Sequence, residues 1–325
     1  MSYPSTLSIG SVKLPQPFFL APMAGVSDLA YRRISRSFGV TLAFTEMVSA
    51  RALTFRNKRC LDMLVSSKDD RPLGIQLLGG DTQSLLAAMD VLDRYACDVI
   101  DLNAACPVAK VVRRGEGAGL LREPARLRRL IDALVSRSGP PVTLKIRAGW
   151  DENSINAREI ALMAQDAGVA AIIIHGRTRS QGYDGRVDYA VIREAKQAVR
   201  IPVIGSGDIF SPELARKMFD ETGCDGVAFA RGSLGNPWIF RETEALLSGG
   251  TLPARPTIDE LISVIREHFR LSVGLLGETL GVVSFRKCFI WYTHGIDNVR
   301  PLRAKAGAAR SVSQMHDVIE ELRTL

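Results

Sequence analysis

Short runs of Val, Ile, Leu and Phe recur along the first three-quarters of the chain, at Phe18–Leu20, Leu42–Thr45, Leu73–Leu77, Val99–Leu102, Val142–Ile146, Ala171–Ile174, Val203–Ile204 and Gly226–Phe229. Their apolarity is continuous rather than alternating, as a strand covered on both faces requires. Amphipathic stretches lie between them. Asp81 and Thr82 are placed to cap a helix reaching Tyr95, with Leu85, Leu86, Met89 and Leu92 on one face. Pro124 opens another, striped by Leu127, Leu130, Ile131 and Leu134. The segments Ala157–Ala167, Tyr189–Val199 and Ser211–Glu221 repeat the plan, the last with Ser211 as cap. Eight alternations of strand and helix predict an α/β fold of the (β/α)8 TIM-barrel type rather than an open sheet. An open dinucleotide-binding sheet would carry G-x-G-x-x-G after its first strand. Gly115-x-Gly117-x-Gly119 has a different spacing and follows no strand directly. After Phe240 the pattern changes to helical periodicity alone, through Leu261, Val264, Ile265 and Phe269, then Val282, Phe285 and Phe289. The expected organisation is a barrel over 1–246 followed by a small all-helical C-terminal domain over 247–325.

A chain of 325 residues, 46% hydrophobic, can bury a full core. No apolar run approaches the roughly 20 residues of a membrane span. Met1-Ser2-Tyr3-Pro4 lacks the basic stretch before an apolar run that marks a signal peptide. Five cysteines without a C-x-x-C pair argue against a disulfide framework, and four histidines without H-x-x-x-H spacing leave little for a metal. The expectation is a cytoplasmic protein with no metal site. A net charge of +7 inclines it toward a polyanionic partner.

Barrel chemistry sits where the strands end at their C-terminal side. Here those ends read Pro22-Met23-Ala24-Gly25, Glu46, Gln76, Asn103, Lys145, His175, Gly205-Ser206-Gly207-Asp208 and Ala230-Arg231-Gly232. One polar strand end is ordinarily a solvated edge; eight on one rim make a site. The last two turns suit a phosphate, with glycines that let the backbone approach and Arg231 as a bidentate cation. The plainer alternative is that the glycines only make tight turns. The remaining set suits a flavin ring: Gln76 for the pyrimidine edge, and Lys145 for the charge that develops there on reduction. The plainer reading of Lys145 is a buried ion pair with Glu46 or Asp208, and both readings could hold at once.

At these residues the chain resembles the tRNA-dihydrouridine synthases, most closely their bacterial B-type branch. The stretches that carry the resemblance are Ala21–Gly25, Thr45–Met47, Gly74–Leu77, Asp101–Pro107, Leu144–Trp150, Ile174–Thr178, Gly205–Ile209, Arg231–Phe240 and Arg286–Tyr292. The resemblance implies FMN held by Pro22, Met23, Ala24, Gln76, Lys145, His175, Ser206, Gly207, Asp208, Ala230 and Arg231. It implies Cys106 as proton donor and Asn103 facing a uracil, with Glu46, Lys110, Arg113, Arg177, Arg286 and Lys287 on the substrate side. NADPH would reach the flavin transiently, tRNA would be the partner, and a monomer is expected. The chain departs from the family pattern at Ala105, where glycine is usual, and at Ser206, where asparagine is usual.

The implied reaction reduces the C5–C6 bond of a uridine, with hydride to C6 and a proton from Cys106 to C5. Lys110, Arg113 and Arg114 could lower the thiol's pKa, while Cys60, Cys97, Cys224 and Cys288 read as small buried hydrophobes. Two basic clusters could face RNA: 110–129, with seven Arg or Lys against two Glu, and 286–310, with six against one Asp. Phe289, Trp291 and Tyr292 read as core at helical spacing. The rivals are a flavin reductase or dehydrogenase of a free pyrimidine, a catalytically silent tRNA-binding homologue, and a sugar-phosphate isomerase barrel.

Overall fold

A computed structural model describes residues 3–325. Met1 and Ser2, where the stretch read for a signal peptide begins, lie outside the described residues. A two-stranded hairpin comes first, β1 (Leu7–Ile9) against β2 (Val12–Leu14). All eight apolar runs are strands: β3 (Phe18–Leu20), β4 (Leu42–Phe44), β6 (Leu73–Leu78), β7 (Val99–Ala104), β8 (Val142–Arg147), β9 (Ala171–His175), β10 (Val203–Ser206) and β11 (Gly226–Phe229). A two-residue strand, β5 (Val48–Ser49), pairs beside the end of β6. Every barrel pairing is parallel, and β4 pairs with both β3 and β6, which closes the ring.

The helices in chain order are α1 (Leu29–Ser37), α2 (Ala50–Thr54), α3 (Lys58–Asp62), α4 (Thr82–Leu92), α5 (Ala109–Val112), α6 (Pro124–Arg137), α7 (Ala157–Asp166), α8 (Tyr189–Ala198) and α9 (Pro212–Thr222). Asp81 and Ser211 cap α4 and α9 as their spacing predicts, accepting from Ser84 N and Leu214 N. The apolar stripe of α6 is buried on the barrel. Inside the ring, Phe19, Leu42, Phe44, Val99, Ile173 and Ile204 pack with Ile9 and Leu14 of the hairpin. A β-carbon on Gly10 would lie 2.9 Å from Pro141, just before β8, so the hairpin plugs the N-terminal mouth. Chemistry is thereby left to the opposite mouth.

α10 (Ile239–Leu247) completes the barrel's outer layer. Next come α11 (Ile258–Leu276), which opens on a Thr257/Glu260 capping box, α12 (Glu278–Tyr292), α13 (Arg300–Ala308) and α14 (Val312–Glu320). Their shared core contains Ile262, Ile265, Phe269, Val282, Phe285, Phe289 and Ile319, with Trp238 contributed from the barrel side. Phe289 and Tyr292 are buried and Trp291 is partly so, as helical core positions should be. The tail is held to the barrel by α1, whose Tyr31 meets His268 edge-to-face at 5.8 Å. Among the described residues no helix is long and apolar enough to cross a membrane.

Candidate active site

A cavity of about 340 Å³ opens at the C-terminal mouth. Pro22, Met23, Ala24, Gln76, Lys145, His175, Ser206, Gly207, Asp208, Ala230 and Arg231 all line it, together with Asn103 and Cys106. Residues from the ends of seven strands and the loops after them thus converge because a closed parallel barrel brings its strand ends to one rim.

The floor is a buried polar network. Gln76 Nε2 donates to Asp101 Oδ2 at 2.6 Å, and Asn103 Nδ2 donates to Gln76 Oε1 at 2.8 Å. Thr143 Oγ1 donates to the other carboxylate oxygen of Asp101 at 2.7 Å. Burial raises the Asp101 carboxyl to about 6. Asn103 also organises the following loop, accepting from Ala105 N at 3.0 Å and Cys106 N at 2.9 Å. Arg147, 2% exposed, fastens the same loop by donating to the Ala105 carbonyl at 2.8 Å. Ala105 is not among the residues with positive φ, so this turn accepts the methyl group where glycine is usual. Gly117 is required on the far side: at φ +57, a β-carbon would lie 2.8 Å from the Cys106 carbonyl. The glycine-rich 115–119 stretch therefore backs the cysteine loop and cradles no dinucleotide.

Cys106 is half-buried on the cavity wall. Its thiol pKa is raised, by burial first, and Arg147 is the cation that opposes the rise. The expected lowering by Lys110, Arg113 and Arg114 is overturned. Those three side chains on and after α5 are exposed to solvent, which screens them. Cys60, Cys224 and Cys288 are buried, as inert structural thiols should be, and Cys97 is partly so.

Lys145 forms no ion pair with Glu46 or Asp208, so both alternatives fall. Glu46 accepts from the amide of Gly25, and Asp208 is held by two arginines. The nearby acid is Asp101, and burial outweighs its attraction, pushing the ammonium down to about 8. His175 is pushed far below its usual range by burial and by Arg147 and Lys145, so the imidazole is neutral. Its Nε2 is buried with no hydrogen-bond partner, and the residue lines a cavity that Lys145, Arg147 and Arg231 line as well.

On the far wall Gly207 has φ +123, and a β-carbon there would lie 2.9 Å from His175 Cδ2. Asp208 follows at φ +49. Its carboxylate is held well below its ordinary range, chiefly by the hydrogen bond from Arg177. Arg177 is 2% exposed, grips Asp208 with both terminal nitrogens and donates to the Asp184 and Gly185 carbonyls. It is therefore a positioning residue, which corrects its expected place among substrate contacts. Arg231 Nη2 meets Asp208 at 2.8 Å, its guanidinium lies over the Tyr183 ring, and the residue lines the cavity. Ser206 turns its hydroxyl toward the Ala228 carbonyl at 3.4 Å, so the strand pairing absorbs this departure from asparagine.

The other substrate-side expectations lie outside the cavity. Lys287 donates to the Gly25 carbonyl, linking α12 to the loop that Glu46 holds from the other side. Arg286 is bound to the Ala309 carbonyl at 2.6 Å within the tail, so it braces that unit. Lys110 and Arg113 stand exposed beside the cysteine loop. Met47, Arg147 and Tyr183 also line the cavity and were not singled out from sequence. Tyr183, 57% exposed, stands at the mouth over Arg147 and Arg231. Thr143, Lys145 and Arg147 alternate along β8, a two-residue period that points all three inward.

The chain matches the family described as Dihydrouridine synthase (Dus) over residues 19–324. It is 38% identical to tRNA-dihydrouridine synthase B of Pseudomonas aeruginosa over 93% of this chain and 91% of that protein. It is 34% identical to a probable tRNA-dihydrouridine synthase of Rickettsia conorii over 98% of this chain and 96% of that one. Among solved structures it resembles an old yellow enzyme homologue from Zymomonas mobilis, with TM-score 0.54 and 11% identity, over 80% of this chain and 96% of that one. Histamine dehydrogenase from Rhizobium sp. 4-9 aligns with TM-score 0.58 and 14% identity, over 82% of this chain and 50% of that one. At such identities these two speak for the barrel alone.

Proposed function

The chain belongs to the dihydrouridine synthase family, and from that membership we propose that it reduces the C5–C6 bond of a uridine in the D-loop of tRNA, with bound FMN and NADPH as reductant. The carrying observation is that one cavity brings together the eleven expected flavin contacts, Asn103 and a thiol. The residues fit the cofactor. A neutral His175 with an unpartnered Nε2, Lys145 and Gln76 suit an electron-rich heterocycle with carbonyl oxygens. Gly207 and Arg231 suit its phosphate. Reduced FMN, when bound, supplies the hydride. Residues 1–246 would hold the flavin and 247–325 would help seat the RNA, in a cytoplasmic monomer.

The chain's own residues then have distinct tasks. Asn103 orients the cysteine loop through its side-chain oxygen and faces the base with what remains of its amide. Cys106 keeps its proton at neutral pH because burial raises its pKa, so it can donate to C5. The resulting thiolate recovers a proton from solvent. Tyr183 stands exposed at the mouth and offers a flat aromatic surface to an extruded base.

Dihydrouridine mapping in tRNA from cells lacking this protein tests the assignment: one or more D-loop positions should revert to uridine. Unmodified tRNA should stimulate NADPH oxidation while free uracil and orotate do not; the opposite preference would return the free-pyrimidine rival.

Lys145 gives a pH test. Its folded pKa of about 8 lies below the ordinary 10.5. Between those values the unfolded state holds more protons, so the flavin-free protein should gain stability as pH rises from about 8 to 10.5. Flavin affinity should run the other way, strongest below about 8 and weakening above it as the ammonium is lost. Fluorescence titration of FMN across pH should show this slope, and Lys145→Met should flatten it. An unchanged slope in the variant would remove Lys145 from the flavin's anionic side.

A further inference from the structure

Between β5 and α3 the chain reads Ala50-Arg51-Ala52-Leu53-Thr54-Phe55-Arg56-Asn57-Lys58-Arg59-Cys60, with no carboxylate from Met47 to Leu61. Leu53 and Cys60 are buried and pin the two short helices to the barrel core. The turn between them is fixed from within: Arg56 N donates to the Leu53 carbonyl at 2.8 Å, and Asn57 Oδ1 caps α3 by accepting from Cys60 N at 3.3 Å. Arg56 holds a left-handed φ of 49°, uncommon for a long side chain. The turn thus leaves its side chains outside. Phe55 is 78% exposed, the most of any large hydrophobic among the described residues.

A single exposed apolar residue ordinarily needs no explanation. This one is flanked in sequence by Arg51, Arg56, Lys58 and Arg59, all exposed, and among the described residues none of the four forms an ion pair. Four like charges so close repel one another and contribute nothing to folding. A polyanion neutralises them, and an aromatic tip among them offers a face on which a base can stack.

The loop also stands in the right place. β5 pairs Val48 and Ser49 with Leu77 and Leu78, the C-terminal end of β6, and Met47 just before it lines the cavity. Arg51 sits within electrostatic range of Glu116, next to the glycine that packs under Cys106. Arg51 therefore brings the charge of this loop up to the segment that carries the exposed Lys110, Arg113 and Arg114.

We propose that the α2–α3 loop is an RNA contact separate from the flavin cavity, in which Phe55 stacks on an unpaired base and Arg51, Arg56, Lys58 and Arg59 bind the phosphates beside it. The proposal rests on the tRNA assignment above, and its test keeps the two apart. Fluorescence anisotropy with an unmodified tRNA transcript should show Phe55→Ala raising Kd roughly ten-fold or more. Phe55→Trp should bind as the parent does, and its added indole emission should be quenched by tRNA, a response that a purely structural residue would not give. Replacing the four cations by serine should make the salt dependence of log K shallower by roughly 3 units, since each phosphate contact contributes about 0.7–0.9. Flavin content and tRNA-independent NADPH oxidation should match the parent in every variant.

A parent enzyme that reduces tRNA while Phe55→Ala keeps its full affinity would overturn the loop assignment alone. A parent that neither binds nor reduces tRNA would remove both assignments. Binding to phosphatidylserine vesicles that depends on Phe55, with tRNA affinity unmoved, would replace RNA by a membrane surface.

Discussion

Cys106→Ala should slow uridine reduction in tRNA by about 10²–10⁴-fold, the range that a positioned proton donor contributes. Flavin content, the rate of flavin reduction by NADPH and the KM for tRNA should stay near those of the parent. The reason is local. The thiol lies on the cavity wall, while the hydrogen bonds that shape its loop come from backbone amides at positions 105 and 106 to Asn103, and from Arg147 to the Ala105 carbonyl. Alanine keeps all of these. The pH profile carries an independent signature. A donor must be protonated, so the parent's rate should hold below the thiol's pKa and decline above it. That pKa lies above the ordinary 9.0 because burial outweighs the pull of Arg147. The variant's residual rate should lack this alkaline limb. Full turnover in the alanine variant, with the limb intact, would assign the proton to another group.

Covered strands announce themselves in sequence because a barrel strand has no polar face to interrupt it, and all eight runs were legible for that reason. Caps such as Asp81 and Ser211 were legible because they act within three residues of themselves. The hairpin was not: strands of three residues are too short for alternation to stand out, and only the packing of Ile9 and Leu14 into the barrel gives them purpose. At the site, residues at strand ends were readable once a barrel was assumed. Asp101 was overlooked although Asp101 and Asn103 alternate inward along β7, a signal already present in the spacing. Pairings across the chain left no such trace. Nothing near Arg177 indicates that Asp208, 31 positions on, will claim it. Charge counting failed in the same way for the tail cluster. Arg286 is bound to the Ala309 carbonyl, Arg303 to the Thr293 carbonyl at 2.7 Å, and Lys305 to Glu321 at 2.5 Å. The tally of like charges there reports internal bracing more than a surface for RNA, so charge reversal in it would first disturb the helices.

Asp70→Ala should lower stability by about 3–5 kcal/mol, the cost of stranding a buried partner charge. Asp70 is fully buried and its carboxylate receives Arg32 Nη2 at 2.7 Å, Arg32 Nε at 2.9 Å and Arg36 Nε at 2.8 Å. Arg32 is 1% exposed, so water cannot replace what alanine removes. The loss is large beside the roughly 5–15 kcal/mol by which domains are ordinarily stable. Urea unfolding should show a lower midpoint with an unchanged slope. Arg32→Met/Asp70→Leu should recover part of the loss, because no charge is then left unpaired at position 32. A variant as unstable as Asp70→Ala would mean that packing, not the stranded charge, sets the cost. The defect should also reach the active site. Arg32 Nη1 donates to the Ser27 carbonyl at 2.8 Å, and Ser27 Oγ accepts from Met23 N at 3.0 Å. The Pro22–Gly25 wall of the cavity thus hangs from the buried pair through two hydrogen bonds. Asp70→Ala should therefore release flavin at urea concentrations below its own unfolding midpoint, and the double variant should not restore that wall, since methionine cannot hold the Ser27 carbonyl.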